Sequence, residues 1–380
     1  MEPKLQTPIN SARLKFRDGE TIFGTGYGAE GIEVAELCFN TSMTGYQEIL
    51  TDPSYYKQIL TFTFPHIGNV GTNLEDYESS KSHVSGIITS SIPTNDSSWR
   101  SEGSLINWMT NKKVIGICDV DTRKITKKIR DQGAQDVAIE HRKDGKFIDG
   151  ELSKKLLNFP GLEGLDLARN VSCRKPYNFT ELGFPWIEQK SVTGKKVIAI
   201  DYGIKTNILR KLASYGFEIT VVPANFPADE ILKLNPRAIF LSNGPGDPAA
   251  THSYSGPIIK TIISQRNLPV FGICLGHQLL GLALGAQSKK MHHGHHGANH
   301  PVKELKSGKV MVTSMNHGFA IDSESLPKGT IETYKSLFDG SNCGIEVNDR
   351  PIFSVQFHPE ASPGPMDADH LFQKFASSIE

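Results

Sequence analysis

The spacing of apolar and polar positions divides the chain into two halves of different rhythm. The first half is strand-rich. Residues 12–16 and 20–23 flank Arg17, Asp18 and Gly19 and predict a hairpin, and residues 58–64 and 83–89 predict further strands. Residues 114–120 predict a buried strand, residues 121–131 have helical spacing, and Gly133 supplies the stop. Strands leading into a strand–helix unit predict a β-rich α+β domain over residues 1–150. Between 151 and 193 the periodicity fades, apart from a short helix at 151–157. Pro160, Gly161, Gly164, Pro176, Gly183 and Pro185 punctuate this stretch, which predicts a connector.

From 194 to 380 the rhythm changes. Strands at 197–201, 218–223, 238–242 and 269–273 alternate with helices at 204–215, 228–234, 257–265 and 275–284. Gly216 and Gly285 stop two of those helices. Short, nearly continuous apolar strands with intervening helices predict an α/β domain whose mostly parallel sheet is covered on both faces. Its strands then end along one edge, where open α/β sheets carry their sites. Residues 309–357 predict shorter strands and turns, and 369–379 a closing helix.

Composition narrows the function classes. Lys plus Arg equals Asp plus Glu at 41 each, so the basic excess of a nucleic-acid-binding protein is missing. The 380 residues suffice for two cores. Five cysteines, with no C-x-x-C pair, predict neither a disulfide framework nor a structural zinc site. No run is long and apolar enough to span a bilayer, and the N-terminus resembles neither a signal nor a transit peptide. The expectation is a cytoplasmic protein.

Candidate chemistry sits at strand ends. Strand 269–273 runs into Gly272-Ile273-Cys274-Leu275-Gly276 and then a helix, a G-x-C-x-G turn equivalent to a nucleophile elbow. Such a turn holds the sulfur at the sheet edge and aims the Leu275 N–H at the carbonyl it attacks, while the helix start favours negative charge. The bland alternative is a buried core cysteine. Residues 352–357 form another apolar strand, ending in His358-Pro359-Glu360. Histidine takes and returns protons near neutrality, and a carboxylate two residues on orients its far nitrogen across a stiff proline. The bland alternative there is a surface pair. After strand 238–242, Gly244 and Gly246 in SNGPGDP would bring backbone N–H groups close to a ligand, as an oxyanion hole needs; the alternative is a plain turn.

LSNGPGDP, FGICLGHQ and QFHPEASPGP, in that order, resemble the class I glutamine amidotransferase family. The resemblance puts nucleophile, base and orienter on Cys274, His358 and Glu360. NTSMTGYQEILTDPSY, PHIGNVGTN, DVDTRK, GHHGANHPVK, NHGFA and KSLFDG extend the likeness to carbamoyl-phosphate synthase small subunits, over nearly the whole chain. It implies that glutamine is held by Ser54, Gly244, Gly246, Leu275, Gln278, Asn316, Gly318 and Phe319, with Ser54 reaching across from the N-terminal domain. It also implies no cofactor in this chain, a large-subunit partner that carries ATP and Mg, and carbamoyl phosphate made from bicarbonate and channelled ammonia for arginine and pyrimidine biosynthesis.

Other signals are set aside. Gly26-Tyr27-Gly28-Ala29-Glu30-Gly31 matches G-x-G-x-x-G but precedes a strand-like run, so the dinucleotide reading fails its context. No P-loop is present. His292, His293, His295, His296 and His300 predict a histidine-rich loop without regular metal-ligand spacing, so no metal site is expected. His317 is read equally as a structural or a substrate-facing histidine. Two other functions compete: a free-standing cysteine hydrolase such as a γ-glutamyl hydrolase, and an inert scaffold for a large subunit.

Overall fold

A computed structural model describes residues 10–181 and 193–379; Gly183, Pro185 and the first nine residues, which entered the connector and targeting readings, lie outside the described residues. Two compact units emerge. One comprises residues 1–51 and 57–162, the other residues 52–56 and 163–380.

The first unit is a closed barrel. In chain order its elements are β1 (Ala12–Phe16), β2 (Thr21–Gly28), β3 (Gly31–Asn40), α1 (Tyr46–Thr51), β4 (Gln58–Phe62), β5 (Gly86–Ile88), α2 (Leu105–Lys112), β6 (Ile115–Cys118), α3 (Thr122–Gln132), β7 (Gln135–His141) and α4 (Asp149–Leu157). The strand order is β1-β2-β6-β5-β4-β3-β7, with β7 closing antiparallel on β1. β3, β4, β5 and β6 pair in parallel, and the other joins are antiparallel. Leu14, Phe16, Leu37, Ile59, Ile117 and Ile139 fill the interior, and Ile125 and Ile129 seat α3 on it. The glycine cluster of the failed dinucleotide motif lies at the end of β2 and the start of β3.

The second unit contains α5 (Ala168–Val171), β8 (Tyr177–Phe179), β9 (Lys196–Asp201), α6 (Thr206–Ser214), β10 (Glu218–Pro223), α7 (Ala228–Lys233), β11 (Ala238–Leu241), α8 (Pro248–Ile263), β12 (Val270–Ile273) and α9 (Leu275–Leu284). They are followed by β13 (Ser288–Glu304), β14 (Val310–Ile321), β15 (Thr330–Ser336), β16 (Asn342–Val347), β17 (Ile352–Val355) and α10 (His370–Ser377). One sheet has the order β14-β13-β15-β16-β17-β12-β11-β9-β10-β8. Its centre, β17 through β10, is parallel, and antiparallel strands flank it on both sides. One face packs Ile208, Leu212, Phe271, Phe372 and Phe375, the other Ile259, Ile262, Leu279 and Leu280. The central strands are buried on both faces, which is why they are apolar throughout.

Two expectations are corrected. The helix expected at 257–265 spans Pro248–Ile263: Asp247 caps it, accepting from the Ala249 N–H at 2.8 Å, and Pro248 opens it where no N–H is needed. Pro257 lies inside this helix rather than starting it. The histidine-rich loop of His292, His293, His295, His296 and His300 is not a loop but part of β13, laddered to β14 with His295 opposite His317 and His296 opposite Asn316. The pairing satisfies the backbone, while packing against β14 buries His295, His296 and His300.

Candidate active site

β12 delivers Cys274 to the sheet edge at φ 54° and ψ −106°, a conformation that non-glycine residues seldom adopt and that marks stored strain. The flanking glycines are required by space. A Cβ on Gly276 would stand 2.2 Å from the Leu241 carbonyl oxygen, and one on Gly272 would meet the Gly276 backbone at 2.9 Å. Cys274 N–H donates to Val355 O at 2.9 Å and Gly276 N–H to Ser242 O at 2.9 Å, tying the elbow to β17 and to the glycine loop. The sulfur is buried, with Cys274 2% exposed, and lies 3.4 Å from the Asn316 carbonyl oxygen.

The segment that follows β17 carries the other two candidates. His358 Nδ1 and Glu360 Oε1 are 2.6 Å apart, and His358 N–H donates to Ser314 O at 2.9 Å, fixing the segment against β14. Nε2, on the far side of the ring, is buried and makes no hydrogen bond. Burial opposes the imidazolium, but the Glu360 charge and the Cys274 side chain outweigh it and push His358 up to about 10. Burial also opposes the Glu360 charge, yet Lys205 and His358 hold the carboxyl down to about 2.

Lys205 is a residue that sequence reading missed. It stands between β9 and α6, buried, and its Nζ donates to Glu360 Oε1 at 3.0 Å and to Ala361 O at 2.6 Å. Asn207 Nδ2 donates to Glu360 O at 2.6 Å. The orienting carboxylate is therefore itself oriented, side chain and backbone, from α6. A lysine in the turn after a strand reads as a solvated surface residue, so spacing gave no signal for it.

The glycine loop between β11 and α8 sits against this group. A Cβ on Gly244 would meet Tyr202 O at 2.0 Å and the Leu275 side chain at 3.0 Å, so only glycine fits, and Gly246 adopts φ +96°. Asn243 is buried there and donates to Ser54 Oγ at 2.9 Å. Ser54 does not reach in from the first unit; residues 52–56, a one-turn 3-10 helix capped by Asp52, belong to the second. Asp52 Oδ2 also accepts from Asn316 Nδ2 at 3.2 Å.

Gln278 Nε2 donates to Phe319 O at 2.7 Å and to Gln356 Oε1 at 3.0 Å, linking α9 to β14 and β17. His296 Nδ1 is 2.9 Å from Asn316 Oδ1, with the Tyr55 ring 6.0 Å from its own. Gly318 is half-buried, with open space where a Cβ would point. His317 Nδ1 lies 2.9 Å from Phe319 O, and burial holds the ring neutral. Thus Ser54, Gly244, Leu275, Gln278, Asn316 and Phe319 are joined, directly or through one residue, to the surroundings of Cys274. Among the described residues, no group of three or more His, Cys, Asp or Glu side chains is arranged to hold a metal ion, and no helix is long and apolar enough to cross a membrane.

A buried thiol, an imidazole that senses that thiol and has one nitrogen unspent, a carboxylate fixed by a cation, and a glycine loop bonded to the elbow make a constellation suited to acyl transfer through a thioester. Residues 198–378 match the family model for glutamine amidotransferase class-I. Residues 14–139 match that for the carbamoyl-phosphate synthase small chain, CPSase domain. The carbamoyl phosphate synthase small chain of Ruegeria pomeroyi is 54% identical over 380 residues, covering 99% of this chain and 98% of its own. That of Bradyrhizobium diazoefficiens is 52% identical over 96% of this chain and 94% of its own. That of Mesorhizobium japonicum is 50% identical over 100% and 97%.

Proposed function

The chain belongs to the carbamoyl phosphate synthase small chain family, the glutamine-hydrolysing amidotransferase subunits of that synthase, and from this premise we propose how its residues release ammonia. Cys274 attacks the glutamine side-chain carbonyl carbon as a thiolate, its proton having passed to His358 Nε2. The oxyanion that forms is met by the Leu275 N–H and the Gly244–Gly246 loop. His358 then gives its proton to the amide nitrogen, the C–N bond breaks, and ammonia leaves a γ-glutamyl thioester on Cys274. Water attacks the thioester carbonyl with His358 as base, the C–S bond breaks, and glutamate departs. Glu360 keeps the imidazole in the tautomer that points Nε2 at the sulfur, and Lys205 keeps Glu360 ionised. Ser54, Gln278, Asn316, Gly318 and Phe319 orient the amino-acid end of glutamine.

The observation that carries this reading is that Glu360 Oε1 meets Lys205 Nζ at 3.0 Å and His358 Nδ1 at 2.6 Å, with the His358 ring influenced by the strained, buried Cys274 that follows β12. Ammonia passes to a large-subunit partner that binds ATP and Mg and forms carbamoyl phosphate from bicarbonate, in the cytoplasm, serving arginine and pyrimidine synthesis. This chain itself needs no cofactor. Cys274→Ala is expected to abolish glutamine hydrolysis, measured as glutamate release, while the assembled synthase still makes carbamoyl phosphate from added ammonia. Glutamate release by the folded variant would remove the triad. Loss of ammonia-dependent synthesis would point to a structural role for the cysteine. A parent rate that the large subunit leaves unchanged would favour a free-standing hydrolase.

A further inference from the structure

An amide side chain that orients a substrate must itself be oriented. A carboxamide keeps nearly the same shape after a half turn about its last bond, but the turn exchanges acceptor for donor. Its neighbours decide which end is which. For Gln278 that decision falls to Phe319 O, which only accepts and which meets Nε2 at 2.7 Å. Asn316 is held from both ends, and one of the two residues that hold it belongs to the histidine run of β13, which the proposed chemistry leaves unused.

At the nitrogen end, Asn316 Nδ2 donates to Asp52 Oδ2 at 3.2 Å. A carboxylate accepts and does not donate, so the amide nitrogen belongs on that side. Asp52 is itself pinned: it is buried, and its Oδ1 accepts the Ser54 N–H at 2.9 Å. At the oxygen end, Asn316 Oδ1 stands 2.9 Å from His296 Nδ1. An amide oxygen only accepts, so the proton of that bond sits on Nδ1. The β13–β14 ladder sets this contact, because His296 and Asn316 are direct partners across it.

The ring is suited to the task. His296 is 4% exposed, with the Tyr55 ring 6.0 Å from its own. Burial, only partly opposed by the bond to Asn316, pushes it down to about 4, so the imidazole is neutral and carries one N–H. With that proton on Nε2 instead, two lone pairs would face each other at Nδ1 and Oδ1. The amide would then be driven to turn and set its oxygen against Asp52. Tautomer and amide orientation are therefore one coupled choice. The stakes reach the nucleophile, since the backbone oxygen of the same Asn316 lies 3.4 Å from Cys274 Sγ.

We infer that His296 is a positioning residue for glutamine, its Nδ1–H holding the Asn316 amide oxygen so that, with Asp52 at the nitrogen end, the amide meets the substrate in a single orientation. This rests on the glutaminase reading above, in which Asn316 orients the amino-acid end of glutamine. His296 acts through Asn316.

The test uses the full-length chain and measures glutamate release against glutamine concentration for the parent, H296N, H296Q and H296L. Asparagine carries its N–H close to the position of Nδ1, glutamine carries its own close to Nε2, and leucine has none. H296Q and H296L are expected to raise KM for glutamine on the order of tenfold, as loss of a buried hydrogen bond does. Their kcat should stay within about threefold of the parent, because the reacting groups are intact. H296N should recover most of the parent KM. In ¹⁵N spectra of the histidine-labelled parent, the imidazole signal that H296N lacks should be that of an Nδ1–H tautomer. If the parent releases no glutamate from glutamine, the glutaminase reading falls and this inference with it. If the parent is active and H296Q and H296L keep its KM, or lower kcat alone, this inference alone is overturned. H296N impaired as deeply as H296Q, or an Nε2–H tautomer at His296, overturns it equally. Should H296L fail to fold, the comparison of H296Q with H296N decides.

Discussion

Each unit buries a glutamate between two basic side chains, and the two arrangements behave differently. In the barrel, Glu140 spends both carboxylate oxygens: Oε2 pairs with Arg13 at 2.7 Å and Oε1 with Arg142 at 2.5 Å. In the second unit, Glu360 directs one oxygen at both partners, Oε1 receiving Lys205 and His358, while Oε2 makes no hydrogen bond. Arginine never releases its proton, so neither cation of the barrel trio can carry one to a third group. Histidine does, and His358 has a second nitrogen unspent beside a sulfur. A buried ion pair becomes reactive when one member titrates and keeps a valence for a third group; otherwise it only holds strands together.

This contrast can be broken at several points. The largest effect is expected from Glu360→Gln. Its amide no longer stabilises the imidazolium, and turnover should fall by about 10²–10⁴-fold; the chain should still fold but with a lowered melting temperature, because Lys205 loses its buried carboxylate partner. A variant that unfolds instead would make Glu360 the structural equal of Glu140. Arg13→Met leaves Glu140 with half its compensation, and chemical denaturation should show a loss of about 3–5 kcal/mol while turnover at Cys274 stays at the parent value. A loss of turnover without a loss of stability would reverse the assignment.

The smallest and most discriminating effect concerns pH. His358 is raised in the folded chain from 6.5 to about 10, so its stabilising contribution is complete below 6.5 and is lost as pH climbs through about 10. Glu360 is depressed from 4.5 to about 2, so its contribution is present above 4.5 and is lost as pH falls through about 2. Melting temperature of the parent should therefore drop between pH 6.5 and about 10 by more than that of His358→Asn. Parallel curves would mean that the imidazole carries no extra charge at neutrality.

The parallel centre of the second unit was legible because strands buried on both faces must be apolar end to end, and glycines mark where their helices stop. The grouping of Cys274, His358 and Glu360 as candidates was legible because Cys274 and His358 follow the ends of such strands. Lys205 was not, since a lysine acquires meaning only when tertiary packing strips its water and places a carboxylate 3.0 Å away. β13 was hidden for a related reason. Five histidines read as polar, whereas imidazole rings are flat enough to pack between strands once a neighbouring strand satisfies the backbone, as His295, His296 and His300 do. Pro257 misled in the opposite direction, inviting a helix start that Asp247 and Pro248 had already provided nine residues earlier. Ser54 was read as belonging with its sequence neighbours, because covalent order says nothing about a chain that leaves a unit for five residues and returns.

That excursion, residues 52–56, bears on heredity as well as geometry. A gene cut anywhere after codon 162 would encode a downstream product without Asp52, Ser54 and Tyr55, and so without the partners of Asn316 and Asn243. The two units cannot be inherited, swapped or expressed as independent modules with the site whole.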